Sequence, residues 1–141
     1  MFKKTLLVTG ASGFIGLHLV PALLRYGYCV RAVTRSKKIM VGSEVHVIRD
    51  LCEVNWSDLL KGVDAVIHLA GIAHTRGVDP LLLKRINTDV MGSLVRSLGV
   101  SQKLIYFSSI RAQTGAWSPQ EVLDDALPKP EDDYGRSKLA A

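Results

Sequence analysis

An apolar run that ends in three evenly spaced glycines constrains this chain more than any other feature. Thr5-Leu6-Leu7-Val8-Thr9 leads straight into Gly10-Ala11-Ser12-Gly13-Phe14-Ile15-Gly16. The run reads as a buried strand and the residues after it as a helix. In that setting Gly10 permits a tight turn, Gly13 lets a ligand approach the backbone, and Gly16 lets the helix pack closely. The first N–H groups of a helix have no partner within it, so the turn faces an anion with free donors. Glycines can serve turn and packing alone. Their place after a strand and before a helix favours the pyrophosphate of a dinucleotide.

The rest of the chain alternates in the same way. The helix runs from about Gly13 to Tyr26, with Phe14, Leu17, Val20 or Leu19, Leu23 and Leu24 at helical spacing, and Gly27 ends it. Pro21 inside it costs a backbone hydrogen bond. Further strands are expected at Cys29–Val33, Glu44–Ile48, Ala65–Leu69 and Lys103–Phe107. Helices are expected at Trp56–Leu60 and Pro80–Leu98, the latter closed by Gly99. Strands apolar on both faces and separated by helices imply a parallel sheet with crossovers, hence a doubly wound α/β fold. Gly115–Asp133 is polar and proline-bearing and reads as a long loop.

At 141 residues the chain is expected to be one domain, 1–141. Its apolar fraction of 48% and charged fraction of 22% are ordinary for a globular protein. The net charge of +5 is spread out, with Lys3, Lys4, Arg31, Arg35, Lys37 and Lys38 in the first quarter. No basic stripe interleaved with aromatics accompanies it, which argues against nucleic acid. Cys29 and Cys52 lack metal-ligand spacing, so no metal site is expected and both read as buried or half-buried thiols. No apolar run reaches the ~18 residues of a membrane span. The short run after Lys3 and Lys4 is a strand, not a signal peptide. A cytoplasmic protein is expected.

The spacing is GxxGxxG, and TGASGFIG resembles the extended short-chain dehydrogenase/reductases, specifically the NAD-dependent epimerase/dehydratase family. Four further motifs follow in that family's order. His68-Leu69-Ala70-Gly71 is similar to its fourth-strand motif and Ile86-Asn87-Thr88-Asp89 to its mid-helix asparagine motif. Phe107-Ser108-Ser109 is similar to its catalytic serine strand, and Tyr134-Gly135-Arg136-Ser137-Lys138 to its YxxxK motif. The resemblance implies an NAD(P)-binding Rossmann-like domain. It implies a cofactor site built from Gly10, Ser12, Gly13, Phe14, Ile15, Gly16, Arg35, Asp50, Leu51, Leu69, Ala70, Gly71, Asn87, Tyr134 and Lys138. Asp50-Leu51 stands where the family has an adenine-contacting pair, though a plain loop carboxylate reads almost as well. Asn87 is expected to act indirectly, through hydrogen bonds within the fold. His68 reads as a satisfied core histidine. His74 and Trp117 lie in loops that could reach a ligand.

Tyrosine and lysine four residues apart share one helix face. An ammonium beside a phenol favours the phenolate and so helps a phenol exchange protons near neutrality. By resemblance Tyr134 is the general acid/base, Lys138 its modulator, and Ser109 the hydroxyl partner. Ser109 is preferred to Ser108 by its distance along the chain from Tyr134; Ser108 then points to the other side of the strand.

Two departures from the family stand out. The chain stops three residues after Lys138, where relatives continue into a substrate domain. It is therefore expected to be a truncated part of the family's protein, inactive alone, with an uncovered apolar face that favours homo-oligomers. Secondly, no Asp or Glu precedes Glu44, so the usual ribose-binding carboxylate is missing after the second strand. Thr34, Arg35, Ser36, Lys37 and Lys38 stand there instead, which favours NADP over NAD. The implied function is that of a UDP-sugar 4-epimerase acting on a nucleotide-sugar. The alternatives are an NADP-dependent sugar-nucleotide 4-ketoreductase and, in another class, a non-catalytic dinucleotide-binding module.

Overall fold

The computed structural model of the chain describes residues 3–35, 41–73 and 77–141. In order, the elements are β1 (Thr5–Thr9), α1 (Phe14–Arg25), β2 (Cys29–Thr34), β3 (Glu44–Val47), α2 (Trp56–Leu59) and β4 (Ala65–His68). There follow α3 (Pro80–Leu83), a π-helical segment (Lys84–Asp89), α4 (Val90–Ser97), β5 (Lys103–Tyr106) and α5 (Asp133–Leu139). Short 3₁₀ turns lie at Leu51–Glu53 and Ile110–Ala112. The five strands form one parallel sheet in the order β3-β2-β1-β4-β5. This is the doubly wound, Rossmann-type order. Connections reverse direction between β1 and β4, and ligands of such sheets bind beyond the carboxyl ends of the strands at that reversal.

Every strand expected from the sequence is present, within a residue at each end. The phase of the first helix differs. Phe14 is 83% exposed and Leu17 is 40% exposed, so neither lies on the buried face. Gly16 and Val20 are buried instead, with Leu19, Leu23 and Leu24 packed against Leu6, Val8, Ala11, Val30, Ala32 and Ile67. Gly16, Leu19, Val20, Leu23 and Leu24 sit at i, i+3, i+4, i+7 and i+8, the stripe of an amphipathic helix. Its first member has no side chain, which hides the phase from an apolar count. Pro21 is accommodated on the exposed side of α1.

The helix expected from Pro80 to Leu98 is present as one uninterrupted helical run from Pro80 to Ser97, with a π-helical stretch in its middle. α3 starts on Asp79, whose carboxylate accepts from the Leu81 N–H at 2.9 Å, with Pro80 in the first turn. The π segment then carries Asn87, which is 2% exposed. Such bulges are frequent at functional sites.

The chain divides into two compact units, Met1–Ala70 with Leu94–Phe107, and Gly71–Ser93 with Ser108–Ala141. The first holds the sheet and the second the candidate acid–base residues. Cys29 is exposed rather than buried, at the start of β2, and Cys52 is half-buried; neither is in a disulfide. Among the described residues no helix is long and apolar enough to cross a membrane, and no cluster could hold a metal ion. Ser36, Lys37, Lys38 and His74 lie outside the described residues.

Candidate functional site

In the sheet unit, the turn after β1 is fixed by backbone contacts that only glycine allows. Gly10 has φ +65°, and a Cβ built there would lie 2.8 Å from Ala70 N. The turn thereby rests on the segment leaving β4, at the reversal point of the sheet. Ala11 N–H donates to Val33 O at 3.1 Å and anchors the turn to β2. A Cβ on Gly16 would overlap the Ala11 backbone, so α1 begins pressed against the turn itself. Gly13 differs from both. It is exposed, its φ of −76° suits any residue, and its built Cβ meets only Gly10 O at 3.2 Å. Its missing side chain spares one tight contact with Gly10 O and leaves space in front of the helix.

The first hydrogen bond of α1 runs from Leu17 N–H to Gly13 O at 2.9 Å. The N–H groups of Phe14, Ile15 and Gly16 precede it, and no side chain caps the helix. A pyrophosphate fits this set: open space at Gly13, a positive helix end, and no carboxylate in the first turn. Ser12 is half-buried beside it, and Phe14 and Ile15 are exposed.

Beneath the turn lies a buried polar link. Thr9 and His68 are 0% and 1% exposed. Thr9 Oγ1 lies 2.9 Å from His68 Nδ1 and accepts from Ala70 N–H at 3.2 Å. His68 is thus a core histidine that holds the exits of β1 and β4 in register. Leu69 and Ala70 are half-buried there and Gly71 is exposed. At the end of β2, Thr34 is buried and Arg35 exposed. Asp50 caps the 3₁₀ turn through the Cys52 N–H at 2.8 Å, and Leu51 is half-buried.

The second unit brings Asn87, Ser109, Tyr134 and Lys138 together. Its centre is α5, capped by Asp132, whose Oδ1 accepts the Gly135 N–H at 2.6 Å. A Cβ on Gly135 would overlap Arg111 O, so α5 lies directly on the 3₁₀ turn that follows Ser109. Ser109 is half-buried at the start of that turn, and its Oγ accepts from Arg111 N–H at 3.2 Å, whereas Ser108 is exposed.

Asn87 holds α5 from another direction. Its Oδ1 accepts from Ile72 N–H at 2.8 Å. Its Nδ2 donates to Ile72 O at 3.1 Å and to Ser137 Oγ at 2.9 Å. Ser137 Oγ donates in turn to Tyr134 O at 2.7 Å, and Thr88 Oγ1 donates to Ser137 O at 3.0 Å. Both amide hydrogens of Asn87 are committed and the residue is buried. It serves the Gly71–Ile72 segment and the tyrosine helix, which agrees with an indirect role and leaves no donor of its side chain for a ligand.

Lys138 is 8% exposed, and burial lowers its pKa from 10.5 to about 8. Tyr134 is half-buried, so this unit holds a phenol, a hydroxyl and a buried amine, groups capable of acid–base chemistry. Four residues that carry no role in the sequence motifs, Ser137, Gly135, Arg111 and Asp132, hold these groups in place. Only Asp132 had a visible signal, as a carboxylate just ahead of a helix. Trp117 is 75% exposed.

The description "NAD dependent epimerase/dehydratase family" matches residues 6–141. A UDP-glucose 4-epimerase of Vibrio cholerae is 32% identical over 153 aligned residues, which span 98% of this chain and 45% of that protein. A UDP-2-acetamido-2,6-beta-L-arabino-hexul-4-ose reductase of Pseudomonas aeruginosa is 31% identical, over 96% of this chain and 29% of its own. Among solved structures, MoeE5 in complex with UDP-glucose and NAD superposes with a TM-score of 0.83 at 33% identity, over 96% of this chain and 46% of that one. The chain spans less than half the length of each of these relatives.

Proposed function

The chain belongs to the NAD dependent epimerase/dehydratase family, and from that premise we propose that it acts in nicotinamide-dependent chemistry on a nucleotide-sugar, as a UDP-sugar 4-epimerase. The observation that carries this reading is Lys138, buried one helical turn from Tyr134 on a helix packed against the Ser109 turn, where burial lowers its pKa. The glycine turn is read as the binder of the pyrophosphate, through Gly13 and the first N–H groups of α1. The nicotinamide, when bound, supplies hydride transfer. The chain supplies proton transfer and positioning. Tyr134 gives or takes the proton of a sugar hydroxyl, Ser109 shares the hydrogen bond to that oxygen, and Lys138 supplies a positive charge one helical turn along. Asn87 and Ser137 keep the tyrosine helix in place. Gly71 approaches Asn87 so closely that a Cβ there would lie 3.0 Å from Asn87 Oδ1.

The test supplies UDP-hexoses with each cofactor to this chain, beside a form of the relatives' length. Interconversion of the C4 epimers by the longer form is expected, with far less from the 141 residues alone. No conversion of any UDP-hexose by either form would refute the reading.

A second reading, an NADP-dependent sugar-nucleotide 4-ketoreductase, is favoured by the basic end of β2. Arg35 is exposed there and no carboxylate precedes Glu44. Arg35, with Lys37 and Lys38 next in sequence, suits a 2′-phosphate. A charge-assisted hydrogen bond contributes about 1.5–3 kcal/mol, so NADP should bind about tenfold more tightly than NAD or better. Calorimetric titration with both decides it. Equal affinity, or tighter binding of NAD, would overturn the NADP preference.

A further inference from the structure

We propose that Arg111 and Asp132 are positioning residues whose ion pair fixes the turn beginning at Ser109 to the helix carrying Tyr134 and Lys138. The proposal rests on the reading of Ser109, Tyr134 and Lys138 as one acid–base set. Arg111 lies two residues after Ser109, and its N–H is bound by Ser109 Oγ. Asp132 lies two residues before Tyr134. Its carboxylate is divided between two tasks: Oδ1 accepts the Gly135 N–H, and Oδ2 pairs with Arg111 Nη2. Arg111 therefore grips the first turn of α5 twice, with its guanidinium on Asp132 and with its carbonyl against Gly135, where no Cβ fits.

The side chains of the pair are 32% and 30% exposed, so water screens it less than it would a surface pair. The intervening loop has its own ties, from Lys129 N–H to Gln113 O at 2.8 Å and from Gln113 Nε2 to Asp124 O at 3.3 Å. What the pair adds is a fixed relation between the serine turn and the tyrosine helix. Misplacement by about 1 Å between reacting groups can cost about a hundredfold in rate, so such a tie has a chemical consequence.

The test needs no ligand and no turnover. Asp132→Asn keeps an oxygen to cap Gly135 and removes the charge that Arg111 binds. The Lys138 titration is followed by NMR of its ε-carbon, and the exposure of α5 by amide exchange. The two possible effects of this variant on Lys138 have opposite signs. Loss of a nearby carboxylate would lower its midpoint, whereas loosening α5 rehydrates the ammonium and raises it. We expect the midpoint to rise from about 8 towards the ordinary 10.5. Amide exchange at 134–138 should quicken about tenfold or more, with the β1 and β4 amides unchanged. Arg111→Lys, which keeps the charge but loses the Nη2 contact and its reach, should fall between wild type and Asp132→Asn. An unchanged or lowered midpoint with unchanged exchange in α5, in either variant, would overturn the proposal. If the protein fails to bind a nicotinamide cofactor, the functional reading fails instead, and the Lys138 titration still decides this one.

Discussion

In a sugar-nucleotide assay, Tyr134→Phe should lower kcat by about 10²–10⁴-fold. Phenylalanine keeps the shape of the half-buried ring and removes only the group that exchanges a proton. The helix should not move, because its position does not depend on the phenol. It is set by the Asp132 cap, by Gly135 against Arg111, and by the Asn87 and Thr88 hydrogen bonds to Ser137. The wild-type rate should also carry the Lys138 titration. Its ammonium is present below a pH of about 8 and lost above it, so the positive charge it supplies falls away as pH rises through that value. A Tyr134→Phe variant that turns over at the wild-type rate would remove Tyr134 from the chemistry.

Gly16→Val should cost the sheet unit at least about 3 kcal/mol, beyond the usual penalty for overpacking. A flexible neighbour could yield to an added side chain. Here the Cβ would overlap the oxygen, carbon and Cα of Ala11, which is itself 0% exposed and tied to Val33 O. Relief requires moving α1 away from β1, which opens the packing of Val20, Leu23 and Leu24 on the sheet. At roughly 2–8 °C per kcal/mol for domains of this size range, the melting temperature should fall by on the order of 10 °C or more. A scan of thermal unfolding reads it directly, and a fall of only a degree or two would mean that α1 is not pressed on the turn.

The difference between what the sequence revealed and what it concealed is physical. Strands such as Leu6-Leu7-Val8 are legible because both faces are buried, which leaves an unbroken apolar run. The glycine turn is legible because strand, turn and helix are contiguous. The phase of α1 was hidden because its stripe starts on a glycine, and Phe14 and Leu17 supplied a competing apolar pattern. The π segment was hidden because one extra residue per turn leaves no mark on composition. Asn87 was visible as a motif, but its partners Ile72 and Ser137 lie 15 and 50 residues away. The Arg111–Asp132 pair spans 21 residues across a loop with no periodicity. Tertiary pairs of this kind are set by where elements dock, which a local pattern does not contain.

The central claim is that the turn from Gly10 to Gly16 holds a nicotinamide dinucleotide. The most direct measurement is a fluorescence titration of NADH and NADPH into the wild-type chain and into Gly13→Val. Gly13 has an ordinary φ and an exposed position, and its Cβ would press only on Gly10 O, so valine there should fill the space in front of the helix at a modest cost in stability. Saturable binding by the wild type is expected. Binding by a folded Gly13→Val protein should be about a hundredfold weaker or worse, a loss of roughly 2.7 kcal/mol. A folded Gly13→Val variant that binds both cofactors as tightly as the wild type would contradict the account.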